Sequence, residues 1–139
     1  MTAQTQDAQT PRVVLVTGGN RGIGRSIAEA FRAQGDQVVV TYRSGEAPEG
    51  VDAVRCDVSD TESVDAAFIE IEKTWGPVDV VVANAGITQD TLLMRMSEDD
   101  FTSVVNTNLT GAFRVSKRAT RGFLKKKAGR IVFISSIVG

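Results

Sequence analysis

An α/β fold built on a doubly wound parallel sheet is predicted by three features of the 139-residue sequence. Five short apolar runs, rich in valine and isoleucine, are spread along it; segments of helical periodicity lie between them; glycine, proline or aspartate stands at the junctions. Strands of a parallel sheet are covered on both faces, so they read as unbroken apolar runs rather than as alternating ones. Strands alternating with helices imply right-handed crossovers and a three-layer α/β/α arrangement.

The elements follow in order. Val13 to Val16 is a short strand ending in glycines, and Ile23, Ile27, Phe31 and Gln34, with Ala30 beside them, then recur at helical spacing until Gly35-Asp36. Gln37 to Tyr42 is the second strand, Ser44 to Gly50 a loop rich in Gly, Pro and Glu, and Val51 to Cys56 a weaker third strand. Asp60 is placed to cap a helix in which Val64, Phe68, Ile71 and Trp75 recur, and Gly76-Pro77 stops it. Val78 to Ala83 is the fourth strand. Ser97 is a second capping residue, ahead of the acidic first turn Glu98-Asp99-Asp100, and a long helix runs from there to about Lys127. Ile131 to Ile134 reads as a fifth strand, buried on both faces, that leads into Ser135 and Ser136.

Composition narrows the function classes. The hydrophobic share is 42%, the charged share 24% and the net charge −1, so neither a nucleic-acid nor a membrane-surface partner is indicated. Lys125-Lys126-Lys127 reads as a solvated helix end, where cations suit the dipole. Cys56 is the sole cysteine, which excludes an internal disulfide and fits a reducing, cytoplasmic setting. No apolar run approaches the ~20 residues that cross a bilayer. Histidine is absent from the sequence, and no metal site is expected. Residues 1–11 read as a flexible polar tail and 12–139 as one domain.

The strongest chemical signal is Thr17 to Gly24, TGGNRGIG, between the first strand and the first helix. A doubly wound fold binds a dinucleotide at such a turn, which makes this a Rossmann-type domain. Gly18 permits the sharp exit from the strand, Gly22 lets the backbone approach a pyrophosphate, and Gly24 lets the helix pack closely. Asn20, Arg21 and Ile23 complete the segment, and the helix N-terminus offers free N–H groups and a positive dipole end. NAD-binding domains place a carboxylate at the end of the second strand; here Thr41-Tyr42-Arg43-Ser44 stands there. Arg43, with Arg21 opposite, suits a ribose 2′-phosphate, so the expected cofactor is NADP(H). Asn108 falls within an apolar stripe of Phe101, Val105, Ala112, Val115 and Ala119 on the long helix, where a buried amide needs partners.

Five stretches occur in a telling order: TGGNRGIG, CDV at Cys56 to Val58, NAG at Asn84 to Gly86, NLTG at Asn108 to Gly111, and ISSIVG at Ile134 to Gly139. Together they closely resemble the N-terminal part of the short-chain dehydrogenase/reductase family, and within it the bacterial 3-oxoacyl-acyl-carrier-protein reductases. The resemblance implies that Asp57 accepts a hydrogen bond from the adenine, with Val58 lending backbone, and that Asn84, Ala85 and Gly86 shape the floor beneath the cofactor ribose. It implies that Asn108 kinks its helix and holds a water in a proton relay, and that Ser136 polarises the substrate carbonyl, with Ser135 turned to packing. Leu92, Leu93, Met94 and Met96 are expected either at the mouth of the active site or in the core. The reaction so implied is NADPH-dependent reduction of a 3-keto acyl thioester on acyl carrier protein, in fatty acid synthesis. Reduction of acetoacetyl-CoA or another small ketone is the alternative within the family, and a non-catalytic NADP-binding fragment the alternative outside it.

The family's proton donor is the tyrosine of a Tyr-x-x-x-Lys motif. Tyr42, the sole tyrosine, is followed by Glu46 at the lysine position, so it does not fit. The domain is therefore expected to be truncated after strand five, with its C-terminal part absent and the 139 residues inactive alone. Leu109, Phe113 and Leu124 form a further apolar arc on the long helix, expected to pack in a homo-oligomer, a dimer of dimers in the complete protein.

Overall fold

The computed structural model describes residues 10–136. Most of the expected tail and the last three residues of the ISSIVG stretch lie outside them. The described elements are β1 (Val13–Val16), α1 (Gly22–Ala33), β2 (Gln37–Tyr42), β3 (Asp52–Arg55), α2 (Thr61–Thr74), β4 (Val80–Ala83), a 3₁₀ turn (Leu93–Arg95), α3 (Glu98–Val105), a π turn (Asn106–Thr110), α4 (Gly111–Lys126) and β5 (Arg130–Phe133). All strands are parallel, in the order β3-β2-β1-β4-β5. The order reverses between β1 and β4, and at such a switch point the connections leave in opposite directions and open a crevice.

Alternation along the strands divides the core in two. Val13, Leu15, Val39, Val54 and Val81 face α2 and α4, where they meet Val64, Phe68, Ile71, Val115 and Ala119. Val14, Val16, Val38, Val40, Val80 and Val82 face α1, through Ala28 with Ile27 and Phe31. Complete burial of Phe68 and Ile71 contributes about 1.5–3 kcal/mol each. Between α2 and α4, the Arg118 guanidinium lies 5.1 Å from the Phe68 ring centroid and donates to Asp65 at 2.7 Å and Glu72 at 3.1 Å. Paired acceptors of this kind offset the cost of removing the cation from water.

Both expected helix starts are observed. Asp60 accepts from the Glu62 N–H, and Ser97 with Asp100 forms a reciprocal capping box. Three burial patterns differ from expectation. Ile23, Ala30 and Gln34 of the α1 stripe are exposed, and the buried residues of that helix are Gly24 and Ala28. Fitting a thin helix face closely against the sheet favours small residues there. On the long helix Phe101 and Asn108 are exposed and Ala112 half-buried, whereas Thr107, Gly111, Val115 and Ala119 form the buried row. The π turn inserts an extra residue, and one residue rotates the register of all that follows by ~100°. Finally, β5 is an edge strand paired to β4 alone and is largely exposed rather than buried, and Ser135 is exposed rather than packed.

Candidate functional site

Two threonines build the turn after β1. Thr17 is buried; its Oγ1 accepts from the N–H groups of Asn84 and Ala85, both at 3.0 Å, and donates to the Val82 carbonyl at 3.4 Å. Thr41, also buried, accepts from the Gly18 N–H at 3.0 Å. These bonds splice the ends of β1, β2 and β4 together just where the sheet opens. Sequence reasoning left both out of the site; the signal was a hydroxyl closing an otherwise apolar strand. Gly18 has φ +64° and approaches Ala85 so closely that an added Cβ would lie 3.0 Å from its Cα. At Gly24 an added Cβ would fall 2.4 Å from the Asn84 amide nitrogen and 2.6 Å from the Gly18 carbonyl. Asn84 itself donates to the carbonyls of Thr17 and Gly18 at 3.2 and 3.3 Å. The glycines therefore let the turn, the helix and the NAG loop meet at backbone distance.

The result is a groove of about 610 Å³ along the carboxyl edge of the sheet. Gly18, Asn20, Arg21, Gly22, Ile23 and Gly24 form one wall, Arg43, Asp57 and Val58 a second, and Asn84, Ala85 and Gly86 the floor. Thr41, Ser44, Cys56, Ile87 and Thr107 also line it, and the sequence had not singled these out for a site. Gly22, at φ +59°, has no atom within 4 Å of the place its Cβ would take. The start of α1 has neither a side-chain cap nor an acidic residue in its first turn, so its N–H groups and positive dipole end face the groove undiminished. That chemistry fits an extended polyanion.

Asp57 bridges structure and site. Its Oδ1 accepts from the Ser59 hydroxyl at 2.6 Å and the Ser59 N–H at 3.0 Å, and its Oδ2 lies 4.0 Å from Arg43 Nε. The Ser59 hydroxyl bond holds the Asp57 carboxyl below its usual range; partial burial opposes this, and Arg43 and Arg114 reinforce it. Asp57 is thus also the turn aspartate of its loop, with one oxygen left towards the groove. Burial pushes the neighbouring Cys56 thiol up to about 11.

Asn108 sits in the π turn, exposed at its outer side, and both amide atoms are engaged. Oδ1 accepts from the Ile87 N–H at 2.7 Å, and Nδ2 donates to the Ile87 carbonyl at 2.9 Å. The side chain thus braces the helix against the loop that follows the groove floor. Ser136 stands exposed just beyond β5 and does not line the groove. Leu92, Leu93 and Met94 are exposed around the 3₁₀ turn, and Met96 is half-buried. Among the described residues no cluster of three or more metal-ligating side chains occurs.

The five-stranded parallel sheet, helices on both faces and a groove at the switch point define a Rossmann-type α/β domain. The chain belongs to the short-chain dehydrogenase family, whose model matches residues 12–139. It is 55% identical over 128 residues to the 3-oxoacyl-[acyl-carrier-protein] reductase MabA of Mycobacterium avium, covering 92% of this chain and 50% of that protein. To the MabA reductase of Mycobacterium tuberculosis H37Rv it is 52% identical, covering 97% of this chain and 56% of the relative. To the 3-oxoacyl-[acyl-carrier-protein] reductase FabG of Vibrio harveyi the identity is 43%, over 92% of this chain and 56% of the relative. The chain spans about half the length of these curated relatives.

Proposed function

We propose that the chain is the nucleotide-binding part of an NADPH-dependent 3-oxoacyl-acyl-carrier-protein reductase of fatty acid synthesis. One observation carries the reading: the twelve residues expected from the sequence to hold a dinucleotide line a single groove, and they do so on a chain 55% identical to a reductase of that name. The uncapped start of α1 would take the pyrophosphate. Arg43, which faces Asp57, and Arg21 would hold the 2′-phosphate, and Asp57 Oδ2 would accept from the adenine. When bound, NADPH supplies a hydride to the 3-keto carbon. Ser136 would donate to the carbonyl oxygen as negative charge develops there. Asn108 keeps the helix and the Ile87 loop at fixed separation.

The proton donor is not among these residues. Tyr42 lies with its ring 5.2 Å from the Arg55 guanidinium and does not line the groove. The 139-residue chain is therefore expected to bind NADPH without reducing a ketone. A cytoplasmic setting accords with its single reduced cysteine. Homo-oligomerisation is supported by the exposed apolar arc of Leu109, Phe113 and Leu124.

Fluorescence titration of the chain with NADPH and with NADH tests the cofactor assignment. Charge-assisted bonds to the 2′-phosphate should make NADPH bind about tenfold tighter or more. Equal Kd values would remove the role given to Arg43 and Arg21.

A further inference from the structure

The helix carrying Asn108 departs from ordinary α register over Asn106–Thr110. We propose that Arg114 is a positioning residue that fixes the π turn and couples it to the Val58 wall of the groove. Residues 106–110 are wound so that the Gly111 N–H bonds to the Asn106 carbonyl, five residues back. Such a turn is rare and needs support from outside the helix ladder. Arg114 gives it: Nη1 donates to the Asn106 carbonyl at 3.2 Å and Nη2 to the Asn106 side-chain oxygen at 2.6 Å. Nη1 also donates to the Val58 carbonyl at 3.0 Å. One planar cation therefore joins the first residue of the π turn to a buried residue that lines the groove.

Packing makes this joint stiff. Gly111 rests on Val58, where an added Cβ would lie 2.8 Å from Cγ2 and 3.3 Å from the carbonyl oxygen. At the other side of the turn Asn108 is bonded through both amide atoms to Ile87, which follows the NAG floor. The π turn is thus bracketed by two walls of the same groove, through Arg114 to Val58 and through Asn108 to Ile87. Loss of the π register would rotate Asn108 by ~100° relative to α4, and both brackets cannot then hold. Arg114 does not line the groove; it acts through Val58, Asn106 and Asn108. A lysine there places one point charge where the guanidinium forks to three acceptors.

The coupling to cofactor affinity rests on the proposed NADPH reading; the support of the π turn does not. The test compares wild-type chain with Arg114→Met and Arg114→Lys by amide hydrogen exchange, thermal melting and NADPH titration. In Arg114→Met, protection of the Ile87 and Asn108–Gly111 amides should fall about tenfold more than that of α2, as loss of a charged hydrogen-bond set implies. NADPH Kd should rise about tenfold with it. Arg114→Lys, the milder variant should Arg114→Met fail to fold, should restore only part of either. Millimolar guanidinium ion added to Arg114→Met should recover protection in the π turn. Exchange that rises uniformly across the chain, or not at all, overturns the proposal whether or not NADPH binds. Local loosening with unchanged NADPH affinity overturns the coupling to the groove. Failure of the wild-type chain to bind NADPH instead defeats the cofactor reading, and the coupling with it, while the exchange data still judge the register.

Discussion

Cys56 follows β3, is buried, and lines the groove beside Asp57. Burial is the largest influence on its thiol; the Ser63 hydrogen bond opposes it, and the result is a rise from 9.0 to about 11. Between these values the unfolded chain releases a proton that the folded chain keeps, so stability falls as pH rises through that window. The loss approaches about 2–3 kcal/mol above the upper value, since a tenfold difference in proton affinity between the two states corresponds to about 1.4 kcal/mol. Urea unfolding of the wild type and Cys56→Ala between pH 8 and 11 should show the wild type losing more stability with alkalinity. Parallel pH profiles for the two would contradict the burial of the thiol. The native thiol should also react slowly with alkylating reagents, because the thiolate is the nucleophile. Thr17 and Thr41 belong to the same scale: two buried hydroxyls whose bonds fix the glycine turn.

Among the elements, α1 is set apart by its beginning. Asp60 caps α2 and Ser97 caps α3, whereas Arg21 at the start of α1 provides no side-chain cap although its backbone, φ −157° and ψ 170°, suits one. The unfilled cap is consistent with a start reserved for an anion. Arg21→Asp should therefore stabilise the chain by about 0.5–1 kcal/mol through capping and the helix dipole, while NADPH affinity falls at least about 100-fold from like-charge repulsion. A variant both more stable and undiminished in NADPH binding would show that α1 does not receive phosphate. Element positions were legible because each rests on a strong local device: continuous valine runs, two oxygen-bearing caps, and Gly76, whose φ of +110° ends α2. Twelve groove residues were legible for the same reason, since they cluster where strands end, whereas Thr41, Ser44, Cys56, Ile87 and Thr107 were not. The register of the long helix was not. The resemblance placed a kink at Asn108, where the π turn lies, but periodicity projected that residue inward at a constant helical angle, and no residue between Asn106 and Thr110 gives the new register by its type. What sustains that turn is Arg114, which bonds to Val58 at a sequence distance of 56. Contacts of that range leave no mark on a periodic pattern.

At the scale of the molecule, part of the exposed apolar surface is gathered on the α2 and α4 face. Ile69 of α2 is 53% exposed, and Phe113 and Leu124 of α4 are 61% and 74% exposed. They line a common depression of about 990 Å³ between the two helices. Lys117 lies over the Phe113 ring at 5.9 Å, and Arg118 beneath the depression is already neutralised by Asp65 and Glu72. An apolar centre rimmed by charge, with Arg118 paired to Asp65 and Glu72, has the anatomy of a contact surface rather than of solvent-facing helix. The exposed Val132, Phe133 and Ile134 of the β5 edge add a second apolar area, but an edge strand associates by backbone pairing and lacks that specificity. If the proposed homo-oligomer uses the helical face, Phe113→Glu with Leu124→Glu should weaken self-association by about 100-fold or more, the usual cost of losing central anchors. Sedimentation velocity across a concentration series would record it as a shift to monomer, with NADPH affinity unchanged because neither residue lines the groove. Association that persists in the double variant would place the contact on the β5 edge instead. A wild-type chain that remains monomeric at ~100 μM, where even contacts of about 5–6 kcal/mol are populated, would leave the helical face without a self-partner.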